Sequence, residues 1–263
     1  MSTSNTISVV KIGGSTLGSQ DTSLADVVAL QQQGFQVVVV HGGGAAVTQW
    51  MAKLGIQAQF VEGLRVTDAP SLEVVTAVLA GLINKQLVAE LLQLGGRAVG
   101  ISGADGPTLR GHADRPELGF VASSVDVEPG PIRAIISAGY IPVIAPLAVN
   151  AQEGHQLLNL NADTAAGAIA VALGAAHLVF LTDVDGVLDN NGRLIPRLST
   201  HQSDDLVRSG AIKGGMIPKL EASLLAAGHG ARAHIINGTV PSALRDCMSG
   251  NGDQRTSPGT FIT

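Results

Sequence analysis

The chain has 263 residues, with 16 Lys and Arg against 21 Asp and Glu and a formal net charge of −5. That balance lacks the basic surface on which non-specific nucleic-acid binding depends. Hydrophobic residues make up 45% and aromatics 3%, so a sizeable core must be built from Ala, Val, Leu and Ile, as in buried parallel strands flanked by helices. The single cysteine, Cys247, excludes an intrachain disulfide. Residues 1–6 lack the basic-then-apolar pattern of a signal peptide, and no apolar run approaches the ~18 residues of a transmembrane helix. The expectation is a cytoplasmic protein without a membrane or nucleic-acid partner.

In chain order, short apolar runs alternate with helical patterns, the sign of βαβ units. Residues 7–12 read as a strand, 21–33 as a helix, and 35–40 as a strand running into His41-Gly42-Gly43-Gly44 and a helix from about Ala45. A long helix fits 71–94, with Pro70 near its start, and 97–101 is a third strand. Residues 103–128 are rich in Gly and Pro and read as hairpins covering one end of the sheet. A strand at 141–145 and an Ala-rich helix at 161–173 follow. The last part repeats the alternation: a strand at 177–181, a helix at 216–227, a strand at 233–236 and a helix at 240–248. No disordered linker or tandem repeat divides the chain, so 1–263 reads as a single domain, with its two halves serving different ligands.

Four clusters carry chemistry. Lys11, one of five lysines, ends an apolar strand just before Gly13-Gly14-Ser15, and the carboxyl ends of strands are where ligands sit in open α/β sheets. Glycines there let backbone N–H groups and the ammonium converge on an anion. The strand end at His41–Gly44 has the same layout. Oxyanion glycines of a hydrolase would need a G-x-S-x-G elbow, which is absent, as are the Walker A and G-x-G-x-x-G patterns. Asn159-Leu160-Asn161-Ala162-Asp163 opens a helix: Asn161 suits an N-cap and Asp163 suits the positive helix end, while Asn159 offers both donor and acceptor to a ligand. Finally, Lys213 and Lys219 bracket Gly214 and Gly215 at another helix start, a setting suited to phosphate.

These clusters, in this order, resemble the amino acid kinase family, and within it the acetylglutamate kinases. The matching stretches are KIGGS (11–15), HGGG (41–44), GLRVTD (63–68), GISG (100–103), GYIPVIAP (139–146), NLNADTAAGAIA (159–170), LTDVDGV (181–187) and GAIKGGMIPK (210–219). The resemblance implies a three-layer α/β sandwich with a central, mainly parallel eight-stranded sheet between helices. About 1–175 would form a lobe for acyl-amino-acid binding and dimerisation, and about 176–263 a lobe for ATP. It implies transfer of the ATP γ-phosphate to the side-chain carboxylate of N-acetyl-L-glutamate. Lys11 and Lys219 would grip the phosphoryl group, with Asp163 organising both. Gly43, Gly44, Arg65 and Asn159 would bind the acyl amino acid. Gly13 and Gly14, the stretch Asp183, Val184, Asp185, Gly186, Val187 and Leu188, and the turn Ala211, Ile212 and Lys213 would bind ATP. Mg²⁺ would come with the nucleotide, with no protein metal site.

The acceptor chemistry agrees with that expectation. A side-chain carboxylate with a pKa of about 4.3 is already an anionic nucleophile at neutral pH, so no general base is required and His41 reads as structural. The sequence departs from the family pattern at Ala45-Ala46, where many relatives have a proline, and at Ala104-Asp105, where a basic residue commonly stands. Only ten residues precede Lys11, where arginine-inhibited relatives carry a helix that links dimers into a hexamer; the expectation is an arginine-insensitive homodimer. The nearest rival is a kinase for N-acetylaminoadipate or its carrier-linked form, one methylene longer. A non-catalytic nucleotide sensor ranks below it, because both lysines and Asp163 are present.

Overall fold

The computed structural model describes residues 6–13, 22–153, 155–249 and 259–263. Its frame is an eight-stranded sheet whose order, from one edge, is Arg197–Leu198, Thr260–Ile262, Arg232–Asn237, His177–Thr182, Ile7–Ile12, Gln36–His41, Ile141–Ala145 and Ala98–Ser102. Neighbours run parallel except Arg232–Asn237 with Thr260–Ile262. This is the mainly parallel sheet that the Val- and Leu-rich runs predict: strands covered on both faces need apolar residues at every position.

Side chains alternate between the two faces. Val10, Ile12, Val37 and Val39 pack into one apolar layer, with residues of the helices Ser23–Gln32, Gly44–Lys53 and Ala243–Ser249 and of the long helix spanning 69–93. Val9, Val38, Val40 and Phe180 pack into the other, against Gly130–Ser137, Ala162–Leu173 and Met216–Gly228. The result is helix, sheet, helix. A second, five-stranded sheet (Val121–Ala122, Leu157–Leu160, Leu147–Asn150, Leu109–His112, Ser124–Val127) adds Leu109, Ala122, Leu158 and Leu160 to the second layer. It brings Asn159 to the site.

The long helix departs from expectation twice. Its middle, Ala77–Ile83, is wound in wide π turns between α-helical Ala69–Thr76 and Asn84–Gln93. It is also long and apolar enough, by length and composition, to cross a membrane, contrary to the sequence reading that no run approaches that size. The residues that make it so, among them Leu72, Val75, Val78, Leu79, Ile83, Leu87 and Leu91, are buried, most of them in the first apolar layer. Sequence reading also passed over two helices. Gly130–Ser137 begins among Pro129, Gly130 and Pro131, residues that stop a helix interior but are tolerated in its first turn. Thr200–Arg208 is opened by a Ser199–Gln202 capping box.

Candidate functional site

Strand phase decides which strand-end residues meet. Lys11 shares a face with Val9 and so points toward the layer that holds helix Ala162–Leu173. That helix is started by Asn161, whose side chain accepts hydrogen bonds from the Asp163 and Thr164 N–H groups at 2.8 and 3.2 Å. Asp163 therefore sits in the first turn, at the positive end of the helix, with Lys11 Nζ 2.8 Å from its Oδ1. Both side chains are only 7% exposed, so this is a buried pair.

The second lysine arrives through a close helix crossing. A Cβ on Gly167 would lie 2.8 Å from Ala222 Cβ, too near for two side chains, so glycine here lets helices Ala162–Leu173 and Met216–Gly228 approach. Asp163 lies one turn before Gly167 and Lys219 about one turn before Ala222, so the crossing aligns them. Lys219 Nζ donates to Asp163 Oδ2 at 3.0 Å and to the Gly215 carbonyl at 3.0 Å. Two ammonium groups thus share one carboxylate. Burial pushes the Lys11 pKa down, Asp163 pulls it back up, and the Lys219 charge lowers it further. The cluster carries one cationic group more than it has acids to pair with, a standing attraction for an anion.

Beside it lies a cavity of about 250 Å³, lined by Lys11, Asp163, the glycines 42–44, Arg65 and Asn159, with apolar walls from Val75, Leu79 and Phe60. The start of helix Gly44–Lys53 faces this space, and the first N–H groups of a helix have no intrahelical acceptor. Arg65 is buried yet meets no carboxylate among the described residues. Its Nη2 donates to Thr48 Oγ1 at 2.7 Å and to the Gly44 carbonyl at 3.0 Å, its Nη1 lies 3.2 Å from Met51 Sδ, and its carbon stands 4.8 Å from the Phe60 ring centroid. Burial pushes its pKa down. Asn159 Nδ2 donates to Thr67 Oγ1 at 3.1 Å, and Thr67 Oγ1 donates to the Arg65 carbonyl at 3.1 Å. Thr67 thereby ties these two residues together.

The structure thus gathers Lys11, Gly43, Gly44, Arg65, Asn159 and Asp163 around one cavity, with Lys219 on its charged edge. Gly13 continues the Lys11 strand end, its N–H donating to the Leu181 carbonyl at 3.3 Å; Gly14 lies outside the described residues. The stretch 183–188 follows strand His177–Thr182, two strands from His41. Asp183 accepts from Thr182 Oγ1 at 3.2 Å and Asp185 from Asn237 Nδ2 at 2.8 Å, and Val184 and Leu188 are exposed. Val187 and Ile212, by contrast, are buried in the core, and the Val187 backbone is itself engaged, its N–H with Thr260 Oγ1 and its carbonyl with the Ile195 N–H, each at 2.8 Å. Ala211 and Lys213 flank Ile212 in the turn after helix Thr200–Arg208. Three polar residues escaped sequence reading: Thr67, Asn84 and Asn237. Each contacts its partner across a long stretch of chain, and nothing local marks them.

Known proteins resemble this chain in sequence and in fold. Residues 6–237 match the amino acid kinase family. The chain is 46% identical over 253 residues to an acetylglutamate kinase of Dehalococcoides mccartyi, covering 94% of this chain and 93% of the relative. It is 46% identical over 239 residues to one of Cereibacter sphaeroides, covering 89% and 81%. Among solved structures, a Streptococcus mutans protein superposes with a TM-score of 0.83 at 29% identity, over 98% of each chain. The chain belongs to the amino acid kinase family.

Proposed function

We propose that the protein is an ATP-dependent kinase that phosphorylates the side-chain carboxylate of N-acetyl-L-glutamate. One observation carries the reading: a buried and a half-buried lysine on different elements share Asp163 at the rim of a cavity that also holds an arginine with no acidic partner among the described residues. Relatives 46% identical that bear the name acetylglutamate kinase support the same reaction.

In this reading the acyl amino acid enters the cavity with its α-carboxylate on Arg65, whose planar fork matches two oxygens. Asn159 holds the acylated end, and the side-chain carboxylate lies toward Lys11 and the Gly43 and Gly44 N–H groups. The acceptor is anionic at neutral pH, so no proton must be removed. The obstacle is the approach of two anions, and the residues answer it by position and charge. Lys11 and Lys219 turn their remaining N–H donors to the phosphoryl oxygens, while Asp163 fixes both ammonium groups. ATP lies over 183–188 and 211–213 with Gly13 and Gly14 at its phosphates, which divides the chain into an acyl-amino-acid lobe of about 1–175 and a nucleotide lobe of about 176–263. Mg²⁺ suits this site as a companion of the nucleotide phosphates, whose charge it offsets.

A cytoplasmic location belongs to the same proposal, as does a homodimer. The open sheet edge at Ala98–Ser102 and the exposed Leu82 and Leu92 on the neighbouring helix support the latter. The test is ATP-dependent acyl phosphate formation, trapped with hydroxylamine, offering N-acetylglutamate, N-acetylaminoadipate, glutamate and aspartate. Product mainly with N-acetylglutamate, lost in Lys11→Ala, is the expected result. Product only with the longer acid would move the substrate assignment, and no product with any acid would end the kinase reading.

A further inference from the structure

His41 is fully buried and points away from Lys11, because it shares a strand face with Val37 and Val39. There it meets the long helix at Asn84, the first residue after the π turns. The Asn84 amide can be oriented in one way only. Its Nδ2 lies 2.9 Å from the Val143 carbonyl and 3.2 Å from the Ile101 carbonyl, both obligate acceptors. Its Oδ1 accepts from Lys85 Nζ at 2.9 Å, and that ammonium also donates to the Gly100 carbonyl at 2.9 Å. Flipping the amide would set oxygen against two carbonyls and an NH₂ against an ammonium.

With the amide fixed, the imidazole is fixed as well. Nε2 faces the Asn84 NH₂ at 3.2 Å, where an N–H of its own would meet another donor, so it is the bare nitrogen and shares the two amide protons with the Val143 and Ile101 carbonyls. Nδ1 faces the Gly42 carbonyl at 2.8 Å and must carry the proton. The neutral ring is the form that fits, and burial, with Lys11 and Lys85 adding to it, holds the His41 pKa down at about 4 against the backbone hydrogen bond.

The acceptor of that proton is the peptide between Gly42 and Gly43. In a trans peptide the N–H points opposite to the C=O. Drawing the Gly42 carbonyl toward the buried ring therefore turns the Gly43 N–H away from it. Gly43, at φ 152°, lines the cavity beside Lys11. We infer that His41, locked in its Nδ1–H tautomer by Asn84, is a positioning residue that holds the Gly42–Gly43 peptide with its N–H turned toward the acceptor carboxylate and the phosphoryl group. The inference rests on the kinase reading for what the N–H meets, and on geometry alone for the tautomer and the aim.

The test separates the two. Long-range ¹H–¹⁵N correlation of the imidazoles, with His41 assigned through His41→Asn, reads the tautomer directly; the expected pattern is a protonated Nδ1 and a bare Nε2, unchanged from pH 6 to 8. In the amide spectrum the Gly43 resonance should move in His41→Leu and return toward its native position in His41→Asn, whose side-chain NH₂ stands where Nδ1–H stood. In the trapping assay, His41→Leu should lower kcat about 10- to 100-fold, the range for partners that orient a primary ligand group, with the KM for ATP unmoved and kcat largely restored in His41→Asn. An Nε2–H tautomer, or an unmoved Gly43 resonance in folded His41→Leu, overturns the inference whatever the activity. Native kcat in folded His41→Leu overturns its catalytic part. Wild-type protein inactive on every acid would sink the kinase reading, while the two spectra would still decide the positioning claim.

Discussion

The strands that end at Lys11 and at His41 lie side by side in parallel register, Lys11 opposite Val40 and Ile12 opposite His41, and both run into glycines. A single residue of strand phase separates their fates. Lys11 emerges on the face of helix Ala162–Leu173 and meets a carboxylate at its positive end. His41 emerges on the opposite face and meets an amide held by two carbonyls and a lysine. One end presents charge to the cavity; the other presents backbone, and keeps its ionisable group neutral beneath the sheet. A motif of the form strand, polar residue, glycines therefore has two uses, and parity within the strand chooses between them.

The sharpest way to break this contrast is Lys11→Ala. Removing a donor aimed at developing charge costs about 10²- to 10³-fold in kcat, so hydroxylamine-trapped product should fall at least that far while unfolding midpoints stay near native. A kcat close to native would put the charged end outside the chemistry. Arg65→Ala tests the cavity side: the KM for the acyl amino acid should rise roughly 10- to 100-fold with the KM for ATP unchanged, as expected for a lost charge-assisted pair. Arg65→Lys should recover only part, because an ammonium has no fork.

The neutral end is tested by acid. An unfolded imidazole titrates near 6.5, whereas His41 in the fold charges only at about 4. Between those values the unfolded chain binds the extra proton, so this contribution is complete above pH 6.5 and is lost as pH falls toward 4. Linkage puts the loss at about 2 kcal/mol by pH 5 from this residue. His234, also held down at about 4 by burial with His177 and Arg232 nearby, acts in the same direction. Denaturant titrations at pH 7.5, 6 and 5 should show the decline, and His41→Asn should make it shallower, leaving the share of His234; a wild-type midpoint flat across that range would contradict the buried neutral ring. The smallest effect belongs to Gly167→Ala. The added methyl would crowd Ala222, at a cost of roughly 1–3 kcal/mol for overpacking, and would move Lys219 relative to Asp163. Stability and kcat should fall together; a variant with native stability and rate would show that the crossing is looser than it looks.

Much of this was legible in the sequence. Strands whose burial on both faces demands continuous apolar runs announced themselves, and so did a lysine ending one of them and an Asn-Asp pair opening a helix. What stayed hidden was set by partners far along the chain. Asn84 is 43 residues from His41 and 59 from Val143, and Thr67 is 92 from Asn159; an isolated Asn or Thr carries no trace of such a neighbour. Of the five-stranded sheet only the part within 103–128 was read, as hairpins, and Leu147–Asn150 and Leu157–Leu160 were missed, because pairs such as Leu160 with Ala122 join strands distant in sequence. The helix Gly130–Ser137 was obscured because proline and glycine read as breakers unless their place in the first turn is known.

The wide turns at Ala77–Ile83 act as a phase adjuster between two readings of one helix. Ahead of them, Val75 addresses the cavity, and Leu79 does so from within them; after them, Asn84 addresses the ring beneath the sheet. Each α-helical residue advances the side-chain direction by about 100°, and each residue of a wide turn by less, so winding Ala77–Ile83 as α-helix with no residue removed would rotate everything beyond relative to everything before. Asn84 would swing off His41 while Val75 stayed in place. The two ends of the helix are thus separately tunable: a change of winding in these few residues retimes the support under the glycines and leaves Val75 on the cavity wall.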